Sequence, residues 1–171
     1  MAAMQHRVFF AVRPEDPSDL VPVWEQARVR GWRTVPIENA HVTLLFLGML
    51  DEPKLSHAIR AASIIRVDRF HLRLDRCGCW PRSRVLWIAP SRPPQALLAL
   101  AKQLRHAAAD SGITLLRSPY RPHLTVSRHV AAARGFKAGP IEWDVRRFFL
   151  LESHPGGTGV RYSPLCEFAL V

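Results

Sequence analysis

The sequence predicts an α+β fold built from antiparallel sheets and helices, and three observations carry that expectation. Strand-like segments outnumber helical ones. Several successive strands are separated only by short turns, which favours antiparallel pairing. A strand-borne tetrapeptide also occurs twice, about half the chain apart, which suits two pseudo-symmetric lobes facing each other across a central groove. At 171 residues the chain can bury a sizeable core and is short for two ordinary domains, so residues 1–171 are expected to form one bilobal domain.

The elements follow in order. Residues 7–13 are β-branched and aromatic and run into Pro14, as a strand would. An acidic turn over 15–19 precedes a helix over 20–30; Pro22 is tolerated only in a first turn, which makes Asp19 the expected N-cap. Leu20, Val23, Trp24 and Ala27 then share its inner face. A strand over 40–47 ends at Gly48, and Asp51-Glu52-Pro53 opens a helix over 52–65 with Leu55, Ala58, Ile59 and Ala62 at core spacing.

Residues 69–75 alternate strictly, with Phe70, Leu72 and Leu74 on one face. The apolar run 85–89 reads as a buried strand. Pro93-Pro94 starts a helix over 94–110 that stops before Gly112. A strand over 122–128 follows, then strands over 142–152 and 160–169 joined by the turn His154-Pro155-Gly156-Gly157. Residues 131–140 read as a loop, and Val8-Phe9-Phe10 and Phe148-Phe149-Leu150 as similar strands, one from each half.

Composition excludes several classes. The chain is 48% hydrophobic and 22% charged, with no apolar run of membrane-spanning length. Residues 1–5 lack the apolar core and cleavage site of a signal peptide, so a cytoplasmic monomer is the expectation. The cysteines number three, Cys77, Cys79 and Cys166, an odd count that argues for free thiols. Cys77-Gly78-Cys79 has too short a spacing for a structural zinc pair, so no metal is expected.

The net charge is +10, and of 24 basic residues 21 are arginine. Guanidinium forks match phosphate oxygens, which makes a polyanion a natural partner. An arginine- and alanine-rich composition follows equally from a GC-rich genome, so charge alone does not decide.

The repeated motif carries the chemistry. His41-Val42-Thr43-Leu44 returns as His123-Leu124-Thr125-Val126. On a strand, alternate residues share a face, so each copy presents one imidazole beside one hydroxyl. Composition alone supplies about 0.1 copies of such a pattern in a chain with this many histidines. Two histidines can divide the cleavage of a phosphodiester, a neutral imidazole taking a proton from water and an imidazolium giving one to the leaving oxygen. Thr43 and Thr125 can donate to the non-bridging oxygens. No cofactor is needed. His6, His71 and His154 lack a paired threonine and read as structural; His129 stands out only for following Arg128.

These paired motifs resemble those of the two-histidine phosphoesterase superfamily, and most closely the RNA 2',3'-cyclic phosphodiesterases, long described as 2'-5' RNA ligases. The similarity runs through residues 7–11 and 39–48, Trp80 with Ser83-Arg84-Val85-Leu86-Trp87, residues 122–128 and residues 161–165. The resemblance implies two lobes, each an antiparallel sheet backed by helices, and an RNA or oligonucleotide substrate whose 2',3'-cyclic phosphate end is opened to a 2'-phosphomonoester. It also implies reversible 2'-5' ligation, with His41 as the acid on O3' and His123 as the base on water. Arg128 matches an arginine that approaches the phosphate, although simple alternation turns it away from His123 unless the strand bends. Tyr120 has two readings, a platform for an unpaired base or a packing residue between prolines. The competing function is a non-catalytic nucleotide- or RNA-binding module on the same fold; no RNA-recognition sheet motif, Gly-rich clamp or zinc knuckle supports it.

Overall fold

The strands that carry the two motifs lie side by side in the middle of one sheet. The computed structural model describes residues 5–156 and 159–171; Met1–Met4 and Gly157 of the expected turn lie outside the described residues. The strands are β1 (Gln5–Val12), β2 (Val42–Asp51), β3 (Phe70–Leu74), β4 (Arg76–Trp80), β5 (Val85–Ala89), β6 (Leu124–Ser127), β7 (Ile141–Val145), β8 (Arg147–Gly156) and β9 (Gly159–Ala169), with helices α1 (Val21–Val29), α2 (Glu52–Ser63) and α3 (Gln95–Asp110). Seven strands form a sheet in the order β4-β5-β6-β2-β1-β8-β9, and β3 pairs with β7 in a separate two-stranded sheet. The strand pairings are antiparallel.

The central sheet has an internal pseudo-symmetry centred on β2 and β6. Those two strands share a single register pair, Val42 with Leu124, and from there run in opposite directions. On one side β1 flanks β2, with Val12 opposite Val42, Ala11 opposite Thr43 and Phe10 opposite Leu45. On the other β5 flanks β6 in the same register, with Ile88 opposite Leu124, Trp87 opposite Thr125 and Leu86 opposite Ser127. The counterpart of β1 is therefore β5. The expected likeness of Val8-Phe9-Phe10 to Phe148-Phe149-Leu150 is corrected: those segments are direct neighbours, with Phe9 opposite Leu151 and Phe10 opposite Leu150.

The three helices pack by the predicted stripes, burying Val23, Trp24 and Ala27 of α1, Leu55, Ala58 and Ala62 of α2, and Leu97, Leu100 and Leu104 of α3 in one continuous core. Asp51 caps α2 through the Lys54 amide at 3.0 Å. Asp19 does not cap α1. A 3-10 turn over Ser18–Leu20 intervenes, and Asp16 instead takes the Ser18 amide and hydroxyl at 2.9 and 2.8 Å.

Other boundaries differ from expectation for physical reasons. β2 continues through Gly48, which takes φ +82° beside a register shift and thus bends the strand without ending it. The expected strand over 142–152 is two strands, because β7 joins β3 whereas β8 joins the main sheet. β4 was not expected: Gly78 pairs with Trp87, and a Cβ on Gly78 would lie 2.5 Å from the Trp87 ring, so the indole takes the space that a side chain would fill. Residues 131–140 form no helix or strand. The three cysteines are free thiols. No helix among the described residues is long and apolar enough to cross a membrane.

Candidate active site

Both motifs contain a β-bulge at the same place. Leu44 is the extra residue between the pairs Ala11–Thr43 and Phe10–Leu45, and Val126 is the extra residue between Trp87–Thr125 and Leu86–Ser127. Each bulge leaves two successive residues buried and resets the alternation. Arg128 thereby returns to the face of His123 and Thr125, and Phe46 to that of His41 and Thr43. This is the bend that the sequence required of Arg128.

The two His-Thr pairs line one cavity of about 580 Å³. Continuing the Val42–Leu124 register by one residue each way sets His41 opposite Thr125 and Thr43 opposite His123. Val42 and Leu124 themselves point to the other face and are fully buried. Arg7, Arg33 and Arg128 line the same cavity, and no carboxylate does among the described residues. A concave site of this size with three cations and no acid favours an anionic ligand.

The imidazoles are held alike. Nδ1 of His41 donates to the Asn39 carbonyl at 2.6 Å, and Nδ1 of His123 donates to the Arg121 carbonyl at 2.7 Å. A carbonyl only accepts, so each bond fixes the proton on Nδ1 and leaves Nε2 to exchange one. Asn39 is itself anchored, its amide donating to the Val160 carbonyl at 2.6 Å.

The aromatic surroundings differ between the two halves. His41 packs on Phe9 and meets the edge of Tyr162, with ring centroids 5.0 and 5.1 Å away. His123 meets Trp80 edge-on at 4.6 Å. Burial is the largest cause lowering His41, to about 4, with the charges of His123, Arg13 and Arg128 acting in the same direction and the Asn39 bond opposing them. His123 is also held below its ordinary value, first by burial and then by Arg128. Both imidazoles are therefore neutral near pH 7 in the unliganded cavity.

Tyr120 is corrected to a packing residue. Its ring lies against the core, its hydroxyl donates to the Thr43 carbonyl at 3.2 Å, and it does not line the cavity. The aromatic residues that do line it are Phe9, Phe46 and Tyr162, with the Arg7 guanidinium over the Phe46 ring at 5.4 Å. Nothing local in the sequence singled them out, because each depends on a pairing or bulge set elsewhere in the sheet. His129 lines the cavity beside Arg128. His6, His71 and His154 are bonded elsewhere, to Glu52 and Glu152, to Asp144 and Glu142, and to Ser163 respectively.

The sequence signature of the 2'-5' RNA ligase superfamily matches residues 14–157. The chain belongs to that superfamily. Two relatives named RNA 2',3'-cyclic phosphodiesterase span nearly the whole chain. The Escherichia coli protein is 34% identical, covering 96% of both chains, and the Thermus thermophilus protein is 30% identical, covering 96% of this chain and 90% of its own. Among solved structures, E. coli LigT complexed with 3'-AMP superposes with a TM-score of 0.87 at 31% identity, covering 98% of this chain and 99% of LigT. TT0787 of T. thermophilus superposes with a TM-score of 0.79 at 29% identity, covering 95% and 97%. The mixed α and β architecture is thus that of the superfamily.

Proposed function

We propose that the chain acts as one catalytic unit that hydrolyses 2',3'-cyclic phosphate ends of RNA to 2'-phosphomonoesters without a metal. One observation carries the reading: two imidazoles whose Nδ1 protons are fixed on backbone carbonyls line a single arginine-bearing cavity with two threonine hydroxyls. The cyclic phosphate occupies the cavity with its non-bridging oxygens toward Thr43, Thr125 and Arg128. Nε2 of one histidine takes a proton from water as the water oxygen attacks phosphorus, the P–O3' bond breaks in line, and Nε2-H of the other protonates O3'. Water is consumed, and the dyad ends with its proton on the opposite ring.

His41 as acid and His123 as base follow from the family resemblance, since the pseudo-symmetry treats both rings alike. The bound phosphate supplies the missing proton affinity. Its negative charge offsets Arg128 and raises the affinity of the pair for the one proton that the reaction needs. A ribose 5'-hydroxyl in place of water would make the same displacement a 2'-5' ligation.

The test is incubation of a 2',3'-cyclic nucleotide with excess chelator, followed by separation of the 2'- and 3'-phosphates. A 2'-phosphate product that disappears in His41→Ala and in His123→Ala is expected. Binding without turnover by the unaltered chain would favour the non-catalytic module instead.

A further inference from the structure

The pseudo-symmetry fails around the histidines, where the rings packed against the two imidazoles come from strands that are not counterparts. In the β1–β2 half, His41 rests on Phe9 of the inner strand β1 and on Tyr162 of β9. In the β5–β6 half, His123 is met by Trp80 from β4, which is two strands from β6 and forms one edge of the sheet, as β9 forms the other. The residues behind these rings are exchanged as well. Small Ala11 faces large Phe149 across β1 and β8, whereas large Trp87 faces Gly78 across β5 and β4.

Trp80 is placed by one ring contact and one turn. Its ring packs on Trp87 at 5.6 Å, and Trp87 can lie there only because Gly78 has no Cβ. The Trp87 Nε1 has no hydrogen-bond partner among the described residues, so the indole is placed by shape and not by a bond. Arg84, at φ +53°, closes the turn after Trp80 by donating its amide to the Trp80 carbonyl at 2.8 Å. The same arginine is tied to the segment just past Arg128: its guanidinium donates to the His129 carbonyl at 3.1 Å and its own carbonyl accepts the Val130 amide at 2.9 Å. His129 has φ +64°, so two non-glycine residues in the left-handed region are bonded to each other beside the cavity. Such strain persists only where surrounding contacts enforce it.

We propose that Trp80 is a positioning residue for His123: wedged by Trp87 over Gly78 and fixed by the Arg84 turn, its indole holds the imidazole with Nε2 toward the cavity. The Arg121 carbonyl fixes one ring atom of His123, and a single hydrogen bond leaves the ring free to rock about it. The indole, nearly perpendicular to the imidazole, removes that freedom and excludes water from one side of the ring. The proposal rests on His123 exchanging a proton in the reaction, and it adds the element that keeps that exchange in line. Trp80 touches no reacting atom.

The decisive measurement is an NMR titration of His123 in Trp80→Ala and Trp80→Phe, beside kcat and KM for a 2',3'-cyclic nucleotide. Arg128 and His41 are the charged and titratable groups nearest in effect, Arg7, Arg33 and His129 line the same cavity, and both variants retain all five. In Trp80→Ala the His123 titration should move up toward an ordinary histidine, and kcat should fall about 10- to 100-fold, with KM within about threefold. Trp80→Phe should restore most of kcat and of the titration shift. His71, bonded to Asp144 on the separate β3–β7 sheet, reports whether the fold is intact. A folded Trp80→Ala protein whose His123 titrates as in the parent would overturn the proposal. Because the titration needs no substrate, it decides the role of Trp80 even if the parent chain fails to open a cyclic phosphate.

Discussion

Val42 pairs with Leu124, the one register pair joining β2 to β6 among the described residues, and this contact sets each motif histidine opposite the other motif's threonine. Both side chains are fully buried beneath the cavity. The apolar second residue of each motif is thus the floor on which the polar first and third residues stand. Leu124→Ala should destabilise the fold by about 2–5 kcal/mol, as large-to-small changes in well-packed cores do. It should also lower the activity of the molecules that remain folded. Chemical denaturation reads the first effect, and a loss below about 1 kcal/mol would mean that the seam repacks freely.

The pH profile should carry the signature of depressed histidines. Burial and Arg128 hold both imidazoles below their ordinary values, His41 at about 4, so the free enzyme loses the one-proton form of the dyad as pH rises through the acidic range. The bell for kcat/KM should therefore lie at lower pH than that for kcat, because bound phosphate raises both rings. Arg128→Gln removes a charge that opposes the imidazolium, so it should move the kcat/KM bell to higher pH while raising KM. A shift toward lower pH would contradict the placement of Arg128 on the histidine face. Linkage runs the same way: the unfolded chain binds protons below about pH 6.5 that His41 refuses, so its contribution to stability is lost as pH falls toward about 4.

His6 should show the opposite dependence. Its Nδ1 and Nε2 lie 2.7 and 2.9 Å from carboxylate oxygens of Glu152 and Glu52. Carboxylates only accept, so only the imidazolium satisfies both, and these bonds raise its pKa. The contribution is complete below about pH 6.5 and disappears as pH rises through the raised native value. His6→Ala should lower Tm more at pH 6 than at pH 9. Equal losses at both would show that the ring contributes packing alone.

The site was more legible in the sequence than the sheet that carries it. The His41-Thr43 and His123-Thr125 pairs needed only alternation and a count, because a motif read along one strand is local information. Strand partners are not local. Residues 142–152 read as one strand, yet chain neighbours on either side of Arg146 join different sheets. β4 was missed because Cys77-Gly78-Cys79 has none of the β-branched residues that mark a strand, and its pairing depends on a tryptophan nine positions further on. The bulges at Leu44 and Val126 left no trace in composition, although they decide that Phe46 and Arg128 respectively face the cavity.

Tyr120 separates packing from recognition. Its hydroxyl supports the Thr43 carbonyl, and the ring is covered by the core. Tyr120→Phe should cost about 0.5–1.5 kcal/mol, the usual net worth of one hydrogen bond, and leave the preference among the four cyclic nucleotides unchanged. A change in base preference, measured as the ratio of kcat/KM values, would return Tyr120 to the substrate.

The arginine excess is tested by salt. Cavity arginines act on any cyclic phosphate at contact distance, well inside a Debye length, whereas arginines outside the cavity meet only a chain that extends beyond it. A polynucleotide that neutralises several surface arginines releases counterions, and its affinity then falls steeply with ionic strength; a mononucleotide releases few. The KM of an oligonucleotide ending in a 2',3'-cyclic phosphate should therefore rise several-fold more than that of a cyclic mononucleotide as salt increases from about 50 to 200 mM. Substituting arginines remote from the cavity, such as Arg60 and Arg105 on α2 and α3, should flatten the slope only if the nucleic acid tracks that face. Equal slopes for the two substrates would mean that the +10 charge is compositional, leaving the cavity, and not the surface, to select RNA.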